Sequence, residues 1–418
     1  GSLDLLGRYF INASYKTAGS SKFGSKHRFA PVWSAGIGWN LHEERFMNFD
    51  WLNVLRLRFS VGSTANVTFT PYQALTTYLY DPDLIHYSGM GAVPITMGNP
   101  DMKWQVTRKY NWGLTATVWK ERVNVEASYY VNKTKDALMP LTLPSSVGVS
   151  SVLVNMGKLQ NSGYKFSISA QVVKRNNLLG MVMVNGSHVF DKLTSISDAL
   201  KAENMAAYYG VKPQPMFVEG GSQFGIYAMR SAGIDPASGR EIFIKKDGTQ
   251  TFEHDYADEV VVGNSDPKVE GVIGTSFYYK GFSASVNLRY RLGGQIFMST
   301  LYDKVENISE NALQYNQDKR ALYDRWQKPG DKAKFKSIKD NSATPMSSRF
   351  VRTENTFSGE SIYIGYEYSG AWIKKIGAEG VTFRAYMNDI FRVSSFKEER
   401  GTDYPFARTV SFSLSLRF

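Results

Sequence analysis

The sequence predicts an all-β fold, a transmembrane antiparallel β-barrel with long outer loops and short periplasmic turns. Three observations carry that expectation. Segment after segment alternates apolar and polar residues, the period of a strand with one greasy and one wet face. The connections alternate as well, short then long, as they do in transmembrane barrels, whereas a soluble sandwich has no reason to put every long loop at one end. Finally, the polar faces carry Arg8, Arg56, Arg58, Arg289, Arg291, Arg384 and Arg417. An arginine facing lipid at mid-membrane costs about 2–4 kcal/mol, so that face is expected to line a lumen.

Composition allows this class and excludes others. Mean hydropathy is −0.31 over 418 residues. No apolar run approaches the roughly 18–20 residues a membrane-spanning helix needs, so a helical membrane protein is excluded. Aromatics reach 14%, and Tyr and Trp suit a membrane–water boundary. With no cysteine there is no disulfide framework, thiolate metal site or cysteine nucleophile. The net charge of +11 comes from basic residues scattered along the chain, not gathered into an arm, so no nucleic-acid partner is expected. The P-loop, HExxH, GxSxG and helix-opening GxGxxG patterns are all missing. No enzymatic activity and no cofactor are expected.

In chain order, Leu6–Lys16 alternates, a Gly/Ser/Lys loop (19–26) follows, and Trp33–Leu41 alternates again. Residues 42–54 make a turn, and Leu55, Leu57, Phe59 and Val61 oppose Arg56, Arg58 and Ser60. Residues 65–107 show no sustained period and read as a long loop. The clearest hairpin spans Lys109–Val131 around Lys120-Glu121-Arg122. A loop at 133–158 precedes Tyr164–Val172, which turns at 174–177 into Leu178–Val189, a poorly alternating strand placed by its position. The insertion 192–267 is expected to hold one short helix at 198–208. Val269–Tyr279 and Phe282–Leu292 pair around Lys280-Gly281. The loop 295–358 carries an expected helix near 317–326. Ile362–Tyr368 and Val381–Met387 flank a turn at 374–380, and a loop (391–406) leads to the last strand. There Val410, Phe412, Leu414, Leu416 and Phe418 oppose Thr409, Ser411, Ser413, Ser415 and Arg417. The total is about twelve strands.

Candidate site residues fall into two sets. Arg56, Arg58, Arg289, Arg291, Arg384 and Arg417 are expected on the lumen wall. Tyr80, Tyr87, Phe224, Tyr227 and Trp326 are loop aromatics suited to stacking on a sugar or contacting a peptide, or to packing within the loops. The five histidines (27, 42, 86, 188, 254) are far apart with no pair at ligand spacing, so no metal is expected. Asp255, Asp258 and Glu259 read as a solvated acidic loop, with calcium binding the alternative, and Asp235–Gly239 as a turn.

These segments resemble the C-terminal part of a SusC/RagA-type TonB-dependent transporter of the Bacteroidetes outer membrane. The resemblance is carried by GSSKFG (19–24), LRLRFSVG (55–62), GNPDMKW (98–104), NMGKLQNSGYKFSIS (155–169) and GIDPASG (233–239). It continues through DPKVEGVIGTSFYYKGFSASV (266–286), RWQKPGD (325–331) and the closing run from Met387 to Phe418. It implies a share in a barrel of about twenty-two strands, with a TonB box and an N-terminal plug that residues 1–418 do not contain. It also implies a SusD-like surface lipoprotein lid, coupling to the TonB complex and contact with outer-membrane lipid. The implied function is uptake of glycan or oligopeptide across the outer membrane of a Gram-negative bacterium. The alternative is a surface or secreted β-protein that binds glycan without transporting it. The strand that pairs with Leu6–Lys16 is expected from an N-terminal portion preceding Gly1, and the lumen arginines are expected to lack counter-charges in a small barrel closed by this chain alone.

Overall fold

The computed structural model describes residues 1–20, 28–66, 75–87, 89–99, 102–143, 147–149, 151–198, 200–201, 204, 216–375, 377–396 and 407–418. Alternation of apolar and polar residues produces one large antiparallel sheet. Its first strands are β1 (Ser2–Leu5), β2 (Tyr9–Gly19), β3 (Phe29–Asn40) and β4 (Leu52–Asn66). The outer hairpin of β5 (Thr77–His86) and β6 (Gly89–Thr96) is inserted before β7 (Gln105–Val118), β8 (Val123–Thr142), β9 (Ser151–Arg175) and β10 (Leu178–Ile196). A second insertion holds β11 (Gly225–Ala228), β12 (Arg230–Ile234), β13 (Glu241–Ile244), β14 (Gln250–Thr251) and β15 (Val260–Asn264). The sheet resumes with β16 (Val269–Tyr279), β17 (Phe282–Phe297), β18 (Val351–Tyr368), β19 (Gly380–Ser394) and β20 (Val410–Arg417).

The sheet order is β1-β2-β3-β4-β7-β8-β9-β10-β16-β17-β18-β19-β20, thirteen strands with β1 and β20 as free edges. That is one more than expected. The extra strand, β1, folds back onto β2 through Leu6 and Gly7, both with positive φ, so Gly1–Leu5 begins the neighbour that was expected from preceding sequence. The poorly alternating β10 is ladder-bonded to β9 and β16 on both sides, which holds it as a strand without the pattern.

At one end of the sheet every connection is short, 6–8, 41–51, 119–122, 176–177, 280–281 and 369–379, whereas the long insertions 67–104, 197–268 and 298–350 all leave from the other end. Lys280 and Gly281 both take positive φ there, and a Cβ on Gly281 would run into the Glu367 carbonyl.

Several long loops are more ordered than expected. The 133–158 loop is mostly strand, because β8 and β9 run on as a hairpin to Thr142 and Ser151. A membrane crossing needs about 9–11 residues, and β9 has 25. In a membrane barrel the part of a strand beyond the bilayer meets lipid on neither face, which removes the reason for alternation there. The 65–107 stretch contains the β5–β6 hairpin, and 192–267 contains the β11–β15 pair and the β12–β13–β14 sheet. The helix expected at 317–326 shrinks to Arg320–Tyr323. The one expected at 198–208 lies mostly outside the described residues, as do most of 19–26 and 397–406.

On the greasy face, register builds a row of rings across five strands. Phe59 lies opposite Trp112, Trp112 opposite Tyr129, Tyr129 opposite Tyr164, and Tyr164 opposite His188. Successive centroids are 5.3 Å and 5.8 Å apart for the first two pairs, within the range of aromatic contact. Buried side chains collect instead under the loops. One cluster is Ala30, Met102 and Trp104, and another is Val305, Ala321, Phe335 and Phe350. No helix among the described residues is long and apolar enough to cross a membrane.

Candidate functional site

The polar face of the sheet can be followed strand by strand, since directly opposed residues of an antiparallel pair share a face. From Arg56 the row runs through Thr115, Glu126, Ser167, Asn185 and Val272 to Arg289. The next row runs from Arg58 through Gly113, Ser128, Lys165, Ser187 and Glu270 to Arg291. Arg384 lies opposite Gly365 and Ser413, and Arg417 opposite Gly380, on the same side. All six arginines therefore share a face opposite the Phe412–Leu414–Leu416 side.

Their partners differ. Arg289 holds Glu360 through two hydrogen bonds, Nη2 to Oε1 at 3.0 Å and Nε to Oε2. Glu360 is the extra residue of a bulge in β18, and the bulge turns its carboxylate onto the polar side. Glu354, 4% exposed, accepts from Arg291 at 3.2 Å and from Arg392 at 3.0 Å. Arg417 lies 3.5 Å from both Glu367 and Glu379. The expectation that the arginines lack counter-charges is wrong for these three. Arg56 and Arg58 instead donate to neutral oxygens, those of Asn40 (2.6 Å) and Thr115 (3.1 Å).

Above the sheet, the insertions 225–264 and 298–350 close on each other as one lobe. At its centre Arg349 binds Glu241 at 2.8 Å and Glu306 at 2.8 and 3.2 Å, and its guanidinium lies over Phe350 at 4.5 Å. Burial alone would weaken the Arg349 charge, but the two carboxylates outweigh it and hold the group above the usual arginine range. Glu306 is 1% exposed and also accepts from Thr344 at 3.0 Å. Beside it, burial lowers the pKa of both Arg325 and Lys336. Sequence reasoning missed this hub, because Glu241, Glu306 and Arg349 sit on stretches with no period and meet only across more than forty residues of chain.

The structure distributes the five predicted aromatics over three places. Tyr80 and Tyr87 stand on the β5–β6 hairpin, with Tyr87 95% exposed. Phe224 and Tyr227 lie at and just before β11. The indole of Trp326 donates to the Pro236 carbonyl at 2.9 Å and packs against Gly239, so the 325–331 motif meets the 233–239 motif. Asp235 shapes that turn, accepting from the backbone of Ala237 and Ser238.

In the acidic loop, Asp255 accepts from the Ala257 amide and Asp258 from the Lys246 amide. Glu259 lies against His254, with Oε1 3.6 Å from Nε2. Burial pushes the Glu259 carboxyl up to about 7 and the His254 imidazole down. Among the described residues, no group of three or more acidic or histidine side chains fits a metal ion.

Comparison with known proteins agrees with this architecture. The profile of the TonB dependent receptor-like β-barrel family matches residues 2–290. TonB-dependent receptor P39 of Formosa agariphila is 24% identical over 94% of this chain and 42% of its own length. TonB-dependent receptor SusC of Bacteroides thetaiotaomicron is 24% identical over 99% of this chain and likewise 42% of its own length. The structure of the RagAB peptide transporter superposes with a TM-score of 0.78 at 20% identity, covering 93% of this chain and 43% of that one. The RagAB peptide importer in its open-open state gives 0.79 over the whole of this chain and 46% of that one. The chain thus spans less than half the length of these relatives. The profile match over most of the chain, with its open thirteen-stranded antiparallel sheet, shows that it belongs to the TonB-dependent receptor-like β-barrel family.

Proposed function

We propose that this chain supplies barrel wall and outer loops to a TonB-dependent nutrient importer of the Gram-negative outer membrane. The greasy face meets lipid, the polar face lines the lumen, and the long connections face outward. The observation that supports this reading is a single sheet with one apolar and one arginine-bearing face and every long insertion at the same end. In the whole receptor, a plug and a TonB-coupled segment supply the gating. Tyr80 and Tyr87, exposed on the β5–β6 hairpin, are the proposed first contacts for a glycan or oligopeptide, with Phe224, Tyr227 and Trp326 nearer the body of the lobe.

The outer lobe is the proposed seat of a SusD-like lipoprotein lid. Its 310–323 segment exposes Leu313, Tyr315, Leu322 and Tyr323, an apolar edge on an otherwise polar loop. Cysteine scanning tests the topology, since residues 1–418 contain no native cysteine to compete for the label. Asp331→Cys should react with an impermeant maleimide on intact cells and Glu121→Cys should not, and the reverse pattern would invert the assignment. Tyr315→Asp with Tyr323→Asp should abolish co-purification of the lid in detergent. Extraction of the protein without detergent would favour a secreted glycan binder instead.

A further inference from the structure

On the greasy face, β7 and β8 both end their apolar run on a cation, and at the same register. Outward from the Val118–Val123 pair, Ala116 faces Val125, Leu114 faces Ala127, Trp112 faces Tyr129 and Tyr110 faces Val131. The next pair on that face is Arg108 with Lys133. It lies ten residues from Val118 and Val123, and a tilted strand needs about 9–11 residues to cross the hydrocarbon. β10 makes the same change, from His188 and Phe190 to Lys192, which stands opposite Gln160, itself opposite Lys133. In the other direction the row passes through Ser63 to Trp33 and Tyr15, residue types of a membrane–water boundary.

Long cationic side chains commonly reach water from such a boundary, but these are placed at a cost. Like charges directly opposed on an antiparallel pair destabilise it, and Arg108 and Lys133 are directly opposed. Arg108, Lys133 and Lys192 are exposed, and among the described residues none makes a side-chain hydrogen bond or an ion pair. Up to this row the greasy faces of β7 to β10 carry no acid, and those of β17, β18 and β19 carry no cation. The row stands on the outside of the sheet, between β4 and β16, while further barrel strands would add at β1 and β20. Neither a plug in the lumen nor the rest of a barrel would therefore cover it.

We propose that Arg108, Lys133 and Lys192 form a seat for the phosphate of a glycolipid in the outer leaflet of the membrane. The Arg108 fork and the Lys133 ammonium approach one phosphate from adjoining strands, and Lys192 adds charge from β10. Below them Tyr110, Trp112 and Phe190 offer apolar surface to the acyl chains. A phosphate carrying about 1.5 to 2 negative charges turns the opposed cations from a cost into a binding site. The inference rests on the proposed topology, with the greasy face in lipid and the long insertions outside.

The test is equilibrium binding to the full-length receptor purified in detergent. The probe is labelled monophosphoryl lipid A, and its counterpart is the same lipid with the phosphate removed. The phosphorylated probe should bind about tenfold or more tightly, and added salt should erode the gap. Arg108→Gln with Lys133→Gln should remove most of that preference, and Arg108→Lys should keep only part of it for want of the fork. Lys120→Gln with Arg122→Gln removes the same charge at the short-turn end and should leave the preference intact. Heat-modifiable migration on unheated gels verifies that each variant folds. Equal affinity for the two probes, or an equal loss in both double variants, would overturn the site. So would a change of oligomeric state in Arg108→Gln with Lys133→Gln at unchanged lipid preference, which would mark the row as a contact between copies. Uptake by intact cells keeps the two readings apart. If a strain lacking the receptor loses uptake but the purified receptor shows no phosphate preference, the importer stands and the lipid site falls. Labelling of Glu121→Cys in place of Asp331→Cys on intact cells would take the site down together with the topology.

Discussion

The arginines of β17 and those of β4 use the same polar face in opposite ways. From β16 onward each of Arg289, Arg291, Arg392 and Arg417 meets a glutamate within the chain, and the lobe above repeats the arrangement around Arg349. On β4 the arginines meet only an amide and a hydroxyl. An ion pair closed within the chain settles its charge and spends it on stability. An arginine tethered by neutral groups keeps its charge for something else. The contrast teaches that arginines on one face of one sheet need not share a role, and that partner chemistry tells them apart.

The largest effect that would sharpen the contrast lies in the lobe. Arg349→Met strands Glu241 and Glu306 as buried, unpaired carboxylates, which costs about 3–5 kcal/mol locally. The loops 225–264 and 298–350 should become sensitive to limited proteolysis while the strands stay resistant. Unchanged protection would show that the lobe is held by its apolar cluster alone.

Next comes Glu354→Gln. It removes the acid shared by Arg291 and Arg392, each about one-third exposed, so the expected loss is smaller, about 2 kcal/mol. A lowered temperature for loss of the heat-modifiable band would register it. A loss no larger than that of Arg58→Gln would dissolve the distinction.

A smaller effect is expected from pH. The folded Glu259 pKa, about 7, lies above its unfolded value, so its contribution to lobe stability is fully present below about pH 4.5 and is lost as pH rises through 7. His254, lowered by burial, acts in the other direction and costs stability as pH falls below its unfolded value near 6.5. After allowance for solvent screening, the Glu259 share is about 1–2 kcal/mol. Glu259→Gln should flatten the decline in protease protection between pH 5 and 7, and a decline of wild-type steepness in that variant would refute the assignment.

Arg58→Gln should do least to stability, within about 0.5 kcal/mol, because it breaks one bond to an exposed hydroxyl. A large loss in the same gel assay would mean that the β4 arginines are structural after all.

The sequence by itself determined the inner sheet. Period-two alternation sorts side chains between lipid and water wherever a bilayer enforces the difference, so β2, β3, β4, β7, β8, β16, β17 and β20 could be read directly, with the sided turns between them. The pattern also identified the arginine face. Only tertiary structure decided which arginines are neutralised. Glu354 and Glu360 lie 63 and 71 residues from their partners, Glu354 in a stretch without alternation and Glu360 on a bulge that resets the parity of its strand. The outer hairpins and the Arg349 hub were hidden for the same reason. Above the membrane no lipid imposes a period, and contacts between distant loops leave no local trace in the chain.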